Sequence, residues 1–363
     1  MQFLTPMVCA AALSASACYP LMRWSGKLRL QAQPRPDRWH TSATPNTGGV
    51  GIVLASALCF LAFAQAESAR LAVCAAWIAL VGFVDDRLEL PPLAKLIGQA
   101  LPAIYLVTSG LMFSVSPWPV VNAGLSVAWL IGVTNAFNLI DNMDGLCGGV
   151  AAIAAIAGIF LTLLKGDGER AILLAVIAGA CAGFLFFNHK PARIFLGDCG
   201  SLFLGFTLAA LAIDPVSTST RWIEGASALM AFLYPLFDSV LVSLLRKRAG
   251  RPISVGGRDH SSHRLVAAGM TERNAVWSLW AVAAACATFG PLTYMHPRWF
   301  LPALAGFVAL FAVFGSYLAR LPVSMSGATI ARSHRKFHVA LAGQREAAAV
   351  QTAQKDPQVR ALS

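Results

Sequence analysis

The sequence predicts an all-α, polytopic integral membrane protein of about eleven transmembrane helices, each near the ~20 residues that a crossing needs. Three observations predict it. Of 363 residues, 57% are hydrophobic and 12% are charged, roughly half the charge content of a soluble domain. Mean hydropathy is +0.63. Apolar runs follow one another along the chain, broken by short turn-forming stretches. The basic residues sort into alternate loops, so the net charge of +11 reads as cytoplasmic loops rather than as nucleic-acid binding.

The predicted spans lie, in order, at 3–22, 47–66, 70–84, 95–113, 124–141, 147–164, 170–188, 200–213, 225–245, 274–294 and 298–318. The first ends in small residues, "VCAAALSASAC", as a secretory signal does. A signal needs a positive leading region, and "MQFLTP" has no Lys or Arg. Arg23, Lys27 and Arg29 follow the apolar run instead. The reading is an uncleaved first helix with its N-terminus outside and the C-terminus cytoplasmic. The spans at 70–84 and 200–213 are short. "ELPP", "SPWP" and "KGDG" punctuate the breaks. Residues 1–320 are expected to form one transmembrane domain, and 321–363 a polar cytoplasmic tail with no assigned chemistry.

With that orientation, alternation gives each loop a side. Of the 28 Lys and Arg residues, 23 fall in inside segments and five outside, as the positive-inside rule requires. The same alternation puts Asp85, Asp86, Asp141, Asp144, Asp198, His260 and His263 on the cytoplasmic side. A transporter more often holds such groups near the bilayer midplane. Gathering at one face suits an enzyme with a soluble charged substrate. The eight cysteines lie mostly in apolar runs without Cys-x-x-Cys spacing, and read as small fillers or inert thiols.

Four polar clusters carry the chemistry. In "VGFVDDRLELPPLAKLIGQ" (81–99), Asp85 and Asp86 end an apolar run. Neighbours on a helix diverge by about 100°, so both reach one site only if the helix frays. They invite a hard cation or a raised pKa, or simply solvate a loop. Lys95 can hold a phosphate as a point charge, and shares a helix face with Gln99. In "NAFNLIDNMDGL" (135–146), Asn135, Asn138, Asp141 and Asp144 recur every three residues. That predicts a polar stripe down the last helical turns, capped by Gly145. Interhelical hydrogen bonding is the alternative role for the asparagines.

In "RIFLGDCGSLFLGF" (193–206), Gly197 and Gly200 flank Asp198, and Ser201 opens the next span. Glycine amides at a helix N-terminus can approach a phosphate, with Asp198 bringing Mg²⁺. The same letters also make an ordinary turn. "RKRAGRPISVGGRDHSSHRL" (246–265) suits a nucleotide diphosphate: arginines, Arg258 among them, for the phosphates, and His260 and His263 as donors or proton carriers. Asp238 in "YPLFDSV" is either a functional intramembrane carboxylate or the partner of a basic neighbour.

These motifs resemble the polyprenyl-phosphate N-acetylhexosamine-1-phosphate transferase family over about residues 1–320. The resemblance rests on Asp85-Asp86, on the Asn-x-x-Asn-x-x-Asp-x-x-Asp-Gly-Leu stretch from Asn135 to Leu146, on Gly-Asp-x-Gly-Ser at 197–201 and on the late His loop. Lys95, Gln99 and Asn188 also fit positions the family uses. The GlcNAc branch often carries His-x-His-His in that loop. Here "HSSH" departs from it with Ser262 at a histidine position, but the run of consecutive histidines of the translocase branch is absent, so "HSSHRL" argues for the GlcNAc-type side and leaves the sugar open.

The resemblance implies transfer of a UDP-linked N-acetylhexosamine-1-phosphate, GlcNAc-1-phosphate above all, to undecaprenyl phosphate, with release of UMP. That step initiates a cell-envelope polysaccharide such as O-antigen or lipopolysaccharide. It implies Mg²⁺, with Mn²⁺ as substitute, bound by Asp198. Asp85, Asp86, Asp141 and Asp144 are the expected catalytic residues. Lys95, Asn135, Asn138, Asn188, Arg258, His260 and His263 are the expected substrate contacts. The setting is the bacterial plasma membrane with the site facing the cytoplasm, and a homodimer is compatible with it. A proton- or cation-coupled transporter using Asp141, Asp144 and Asp238 is the alternative.

Overall fold

The protein is seen as a computed structural model that describes residues 2–26, 31–32, 44–213, 226–253 and 257–321. The tail, beyond Leu321, lies outside the described residues, as does most of the basic loop after the first helix. Twelve helices occur among the described residues: α1 Leu4–Trp24, α2 Gly48–Phe63, α3 Ala69–Leu88, α4 Pro92–Thr108, α5 Pro119–Ile140, α6 Leu146–Leu164, α7 Gly168–Asn188, α8 Gly197–Ala212, α9 Leu233–Arg248, α10 Ser261–Ala267, α11 Glu272–Met295 and α12 Phe300–Arg320. A 3₁₀ turn over Ser227–Phe232 leads into α9. Two short strands, β1 Gln31–Ala32 and β2 Thr44–Pro45, pair antiparallel.

Each of the predicted spans falls on a helix. Seven helical segments are long and apolar enough to cross a membrane, and α2, α4 and α8 are shorter apolar helices. Helix α3 belongs to neither group, because it ends in Asp85, Asp86 and Arg87. The chain is a multi-pass membrane protein. Local chemistry explains several boundaries. Prolines 92 and 119 open α4 and α5, where a missing N–H costs nothing. The Asp167 side chain accepts Arg170 N at the start of α7, and Thr271 accepts Asn274 N at the start of α11.

Helix α8 sits at the centre. All of its residues but Asp198 are buried, as expected of a helix that is apolar all round. It packs between α2, α3 and α5, while α1 lies along α7. The centre is tight because side chains are missing at the contacts. A Cβ on Gly82 would lie 2.3 Å from the Asp198 carbonyl oxygen, and one on Gly49 would lie 2.2 Å from Gly200 N. Small residues let membrane helices approach backbone to backbone.

Two expectations need correction here. Helix α5 stops at Ile140, so only Asn135 and Asn138 of the predicted stripe lie on it. Asp141 is the residue after the helix, and Asp144 belongs to the following turn. Gly145 does not close α5. It is the N-cap of α6, with φ +80°, a conformation that needs glycine.

Candidate active site

Residues 44–49, from β2 into the first turn of α2, thread beside the start of α8. Phe195 N donates to Pro45 O at 2.7 Å, and Gly48 N and Gly49 N donate back to Phe195 O and Leu196 O, both at 2.8 Å. This brings Asn46 beside the end of α3, where its Nδ2 donates to Asp86 Oδ1 at 2.8 Å. The same carboxylate accepts Asp198 N at 2.9 Å and Cys199 N at 3.0 Å. The anion at the N-terminus of α8 is therefore Asp86 itself, in the place where a helix favours negative charge. This corrects the phosphate-cradle reading of Gly197–Ser201: two of those amides already have an acceptor. Gly197 has φ +72°, and a Cβ there would sit 2.8 Å from Asp86 Oδ2.

Asp85 and Asp86 meet Asp198 without the fraying expected of α3, which stays helical to Leu88. Asp86 reaches the α8 backbone, and Asp85 reaches Lys95. Asp85 Oδ1 also accepts Leu90 N at 2.7 Å, fixing the turn into α4. The Lys95 ammonium donates to Asp85 Oδ2 at 2.8 Å, to Asp198 Oδ2 at 2.5 Å and to Asn138 Oδ1 at 3.0 Å. Asn138 Nδ2 in turn donates to Asp198 Oδ1 at 2.9 Å and Ser201 Oγ at 3.0 Å. Four helices thus converge on one cationic nitrogen.

Asn135 stands deeper and apart from this cluster. Its Nδ2 donates to Gln99 Oε1 at 2.6 Å and to Ile131 O at 2.8 Å. That is the interhelical bonding alternative. Asn188 is also absorbed by the scaffold. Its Oδ1 accepts Gly145 N and its Nδ2 donates to Ile194 O, both at 2.8 Å. It ties the 141–145 turn to the segment leading into α8. Asp144 does similar work, accepting Ala192 N at 3.0 Å. Asp86 and Asp198 thus share one network, while Asp144 is tied to the segment that leads into α8.

The late loop folds onto α9. Arg246 grips Asp259 with two parallel bonds, Nε to Oδ2 at 2.9 Å and Nη2 to Oδ1 at 2.7 Å, and donates to Ile253 O at 2.8 Å. Burial alone would raise the Asp259 carboxyl, but the Arg246 guanidinium outweighs it and holds the group below its ordinary value. Arg264 donates to Asp259 O and to Leu318 O. These two arginines are therefore braces rather than phosphate ligands, and half-buried Arg258 remains the candidate contact.

Asp238 also finds its role. It is fully buried, pairs with His260 Nδ1 at 2.8 Å and accepts Ser261 N at 2.7 Å. The basic neighbour is thus an imidazole rather than Arg246. The His260 and His263 rings lie 5.8 Å apart. Burial, then the charge of His260, pushes the His263 imidazole down to about 3. His263 is thus neutral at pH 7 and carries no proton as imidazolium, which narrows the expected proton-carrier role.

One residue escaped the sequence reading. Ser262 Oγ donates to Asn142 Oδ1 at 2.6 Å, joining helix α10, which carries His263, to the 141–145 turn. Its only signal in the sequence was the serine at a histidine position.

The model of glycosyl transferase family 4 matches residues 68–216. The "Probable undecaprenyl-phosphate N-acetylglucosaminyl 1-phosphate transferase" of Bacillus subtilis is 30% identical over 262 residues, 69% of this chain and 73% of that protein. The chain belongs to glycosyl transferase family 4. A second family-4 relative, the "Decaprenyl-phosphate N-acetylglucosaminephosphotransferase" of Mycobacterium tuberculosis, is 33% identical over 74% of this chain and 76% of its own. The "Phospho-N-acetylmuramoyl-pentapeptide-transferase" of Desulforamulus reducens is 30% identical over 67% and 79%. This family-4 protein is thus a polyprenyl-phosphate sugar-1-phosphate transferase, and the transporter alternative finds no support.

The resemblance in sequence implies a divalent cation, so the donor set matters. Among the described residues, no three His, Cys, Asp or Glu side chains are grouped to hold a metal. The oxygens around Lys95 are two carboxylates and one amide. That set fits Mg²⁺, which takes oxygen ligands, keeps several waters and is usually held by one or two carboxylates plus substrate phosphates. Asp198, Asp85 and Asn138 would hold it.

Proposed function

We propose that this protein transfers N-acetylglucosamine-1-phosphate from UDP-GlcNAc to undecaprenyl phosphate on the cytoplasmic side of a bacterial plasma membrane, releasing UMP. The observation that carries the reading is the convergence of Asp85, Asn138 and Asp198 on Lys95 beside an α8 held by Asp86. The positive-inside distribution of Lys and Arg supports eleven crossings with the N-terminus outside. The product would start a cell-envelope polysaccharide.

The chemistry is an encounter of anions. A phosphomonoester has a second pKa near 6, so at pH 7 it is mostly a dianion and already nucleophilic. Its oxygen forms a bond to the sugar-linked phosphorus, and the bond from that phosphorus to the bridging oxygen breaks, so that UMP leaves. Mg²⁺ held at Asp198 would neutralise charge on the diphosphate and on the departing UMP. Lys95 adds a positive charge for the incoming phosphate. Asp85 accepts a residual phosphate proton or helps hold the cation. Arg258 meets the nucleotide phosphates, while neutral His263 and the Asp238-paired His260 shape that side of the site. The direct test is UMP release from UDP-GlcNAc by purified protein in detergent with undecaprenyl phosphate and Mg²⁺. No release with UDP-GlcNAc or any other UDP-N-acetylhexosamine overturns the proposal.

A further inference from the structure

We propose that the Lys95 ammonium is the built-in occupant of a cation seat formed by Asp85, Asn138 and Asp198, and that the divalent ion enters by displacing it. The inference rests on the magnesium reading above and deepens it. Three oxygens from α3, α5 and α8 surround the Lys95 nitrogen at 2.8, 3.0 and 2.5 Å. A hard cation asks for the same kind of oxygens. Two cations cannot share them, because like charges at contact distance repel strongly where water is scarce.

The seat is fixed and its occupant is movable. Asp198 is tied through its own backbone N–H to Asp86, and its Oδ1 is held by Asn138. Asn138 is anchored in turn on Ser201. Asp85 is pinned by Leu90 N. Lys95 carries its charge on a flexible four-carbon stem, and its side chain is 16% exposed. Withdrawal of the ammonium leaves all three oxygens where they are.

The exchange changes the electrostatics of the site. Two carboxylates against one ammonium leave the cluster net negative, hostile to a diphosphate. A divalent ion balances both carboxylates and frees the ammonium, so the site, the neighbouring Asp86 included, is no longer net negative. The displaced Lys95 then faces incoming phosphate. Binding is therefore ordered: cation first, phosphate-bearing substrates after it.

The test uses Mn²⁺ as the probe and needs no substrate. Electron paramagnetic resonance of free Mn²⁺ measures binding to the purified full-length protein, to Lys95→Gln and to Asp198→Asn. Lys95→Gln is expected to bind Mn²⁺ about tenfold more tightly than the unaltered chain, and Asp198→Asn to lose binding. A second readout needs no variant. Reductive methylation of Lys95, followed by mass spectrometry, is expected to rise several-fold on saturation with Mn²⁺.

Equal or weaker binding by Lys95→Gln, with flat labelling and binding still lost in Asp198→Asn, overturns the displacement and leaves the metal reading intact. Mn²⁺ binding that Asp198→Asn does not change overturns both. If Lys95→Gln does not fold, labelling of the unaltered chain decides.

Discussion

Asp86 accepts the backbone N–H of Asp198, 112 residues further along the chain, at 2.9 Å. The pair joins a side chain at the end of α3 to the first turn of α8, and makes Asp86 a positioning carboxylate. Asp86→Asn keeps the shape and loses the charge. The expected cost is about 1–2 kcal/mol of stability from weakened helix-terminus bonds, together with reduced turnover. A thermal shift in detergent measures it. An unchanged Tm with lost turnover would instead make Asp86 a proton acceptor.

Asp198 presents its side chain to Lys95 and Asn138, not to the α8 backbone. Asp198→Asn is therefore expected to lower kcat by about 10² or more, the scale of losing one group that stabilises transition-state charge. Folding should survive, and UMP release is the measurement. Retained activity would remove Asp198 as the cation ligand.

Two arginines of the late loop should part company. Arg246 is 2% exposed and doubly bonded to Asp259. Arg246→Met strips the buried Asp259 carboxylate of its two-bond partner and leaves it only the looser pair with Arg251 at 3.7 Å, at about 3 kcal/mol, and yield and Tm should fall. Arg258→Ala should fold normally and raise the KM for the UDP-sugar about tenfold, through loss of one charge-assisted bond. Kinetics beside a melting curve separates them.

His263 gives the protein an acid limb. Its folded value is about 3, below the ~6.5 of a free imidazole. Between those values the unfolded chain binds a proton that the folded chain refuses. The stabilisation is complete above about 6.5 and is lost as pH falls toward 3. Its charged and titratable neighbours are His260, Asp238, Asp259 and Arg258. His263→Asn should flatten the fall of Tm between pH 7 and 4. An identical slope in the variant would contradict this.

Ser262 reaches Asn142 across 120 residues. Ser262→Ala removes one neutral hydrogen bond, worth about 1 kcal/mol. The KM for the UDP-sugar should rise about fivefold with kcat little changed, and Ser262→Thr should restore it. A loss confined to Tm would make the bond merely structural.

Hydrophobic run length was enough to locate the helices, because crossing lipid demands it. Polar letters at run ends were enough to name Asp85, Asp86, Lys95, Asn138 and Asp198. Their partners were out of reach. The Asp86–Cys199 and Lys95–Asp198 contacts join residues 113 and 103 positions apart, and no local period encodes such pairs. For that reason the α8 amides read as a phosphate cradle, and the arginines of the late loop as phosphate ligands without distinction. The end of α5 was misplaced because the three-residue recurrence continued past Ile140, where the backbone turns.

Gly82 lies one turn before Asp85 on α3 and carries no functional group, yet a methyl there would strike the main chain of Asp198. Main-chain atoms have no alternative rotamer to retreat into. Position 82 should consequently be as intolerant as the acids in a saturation screen, alanine included, with damage that no added magnesium repairs.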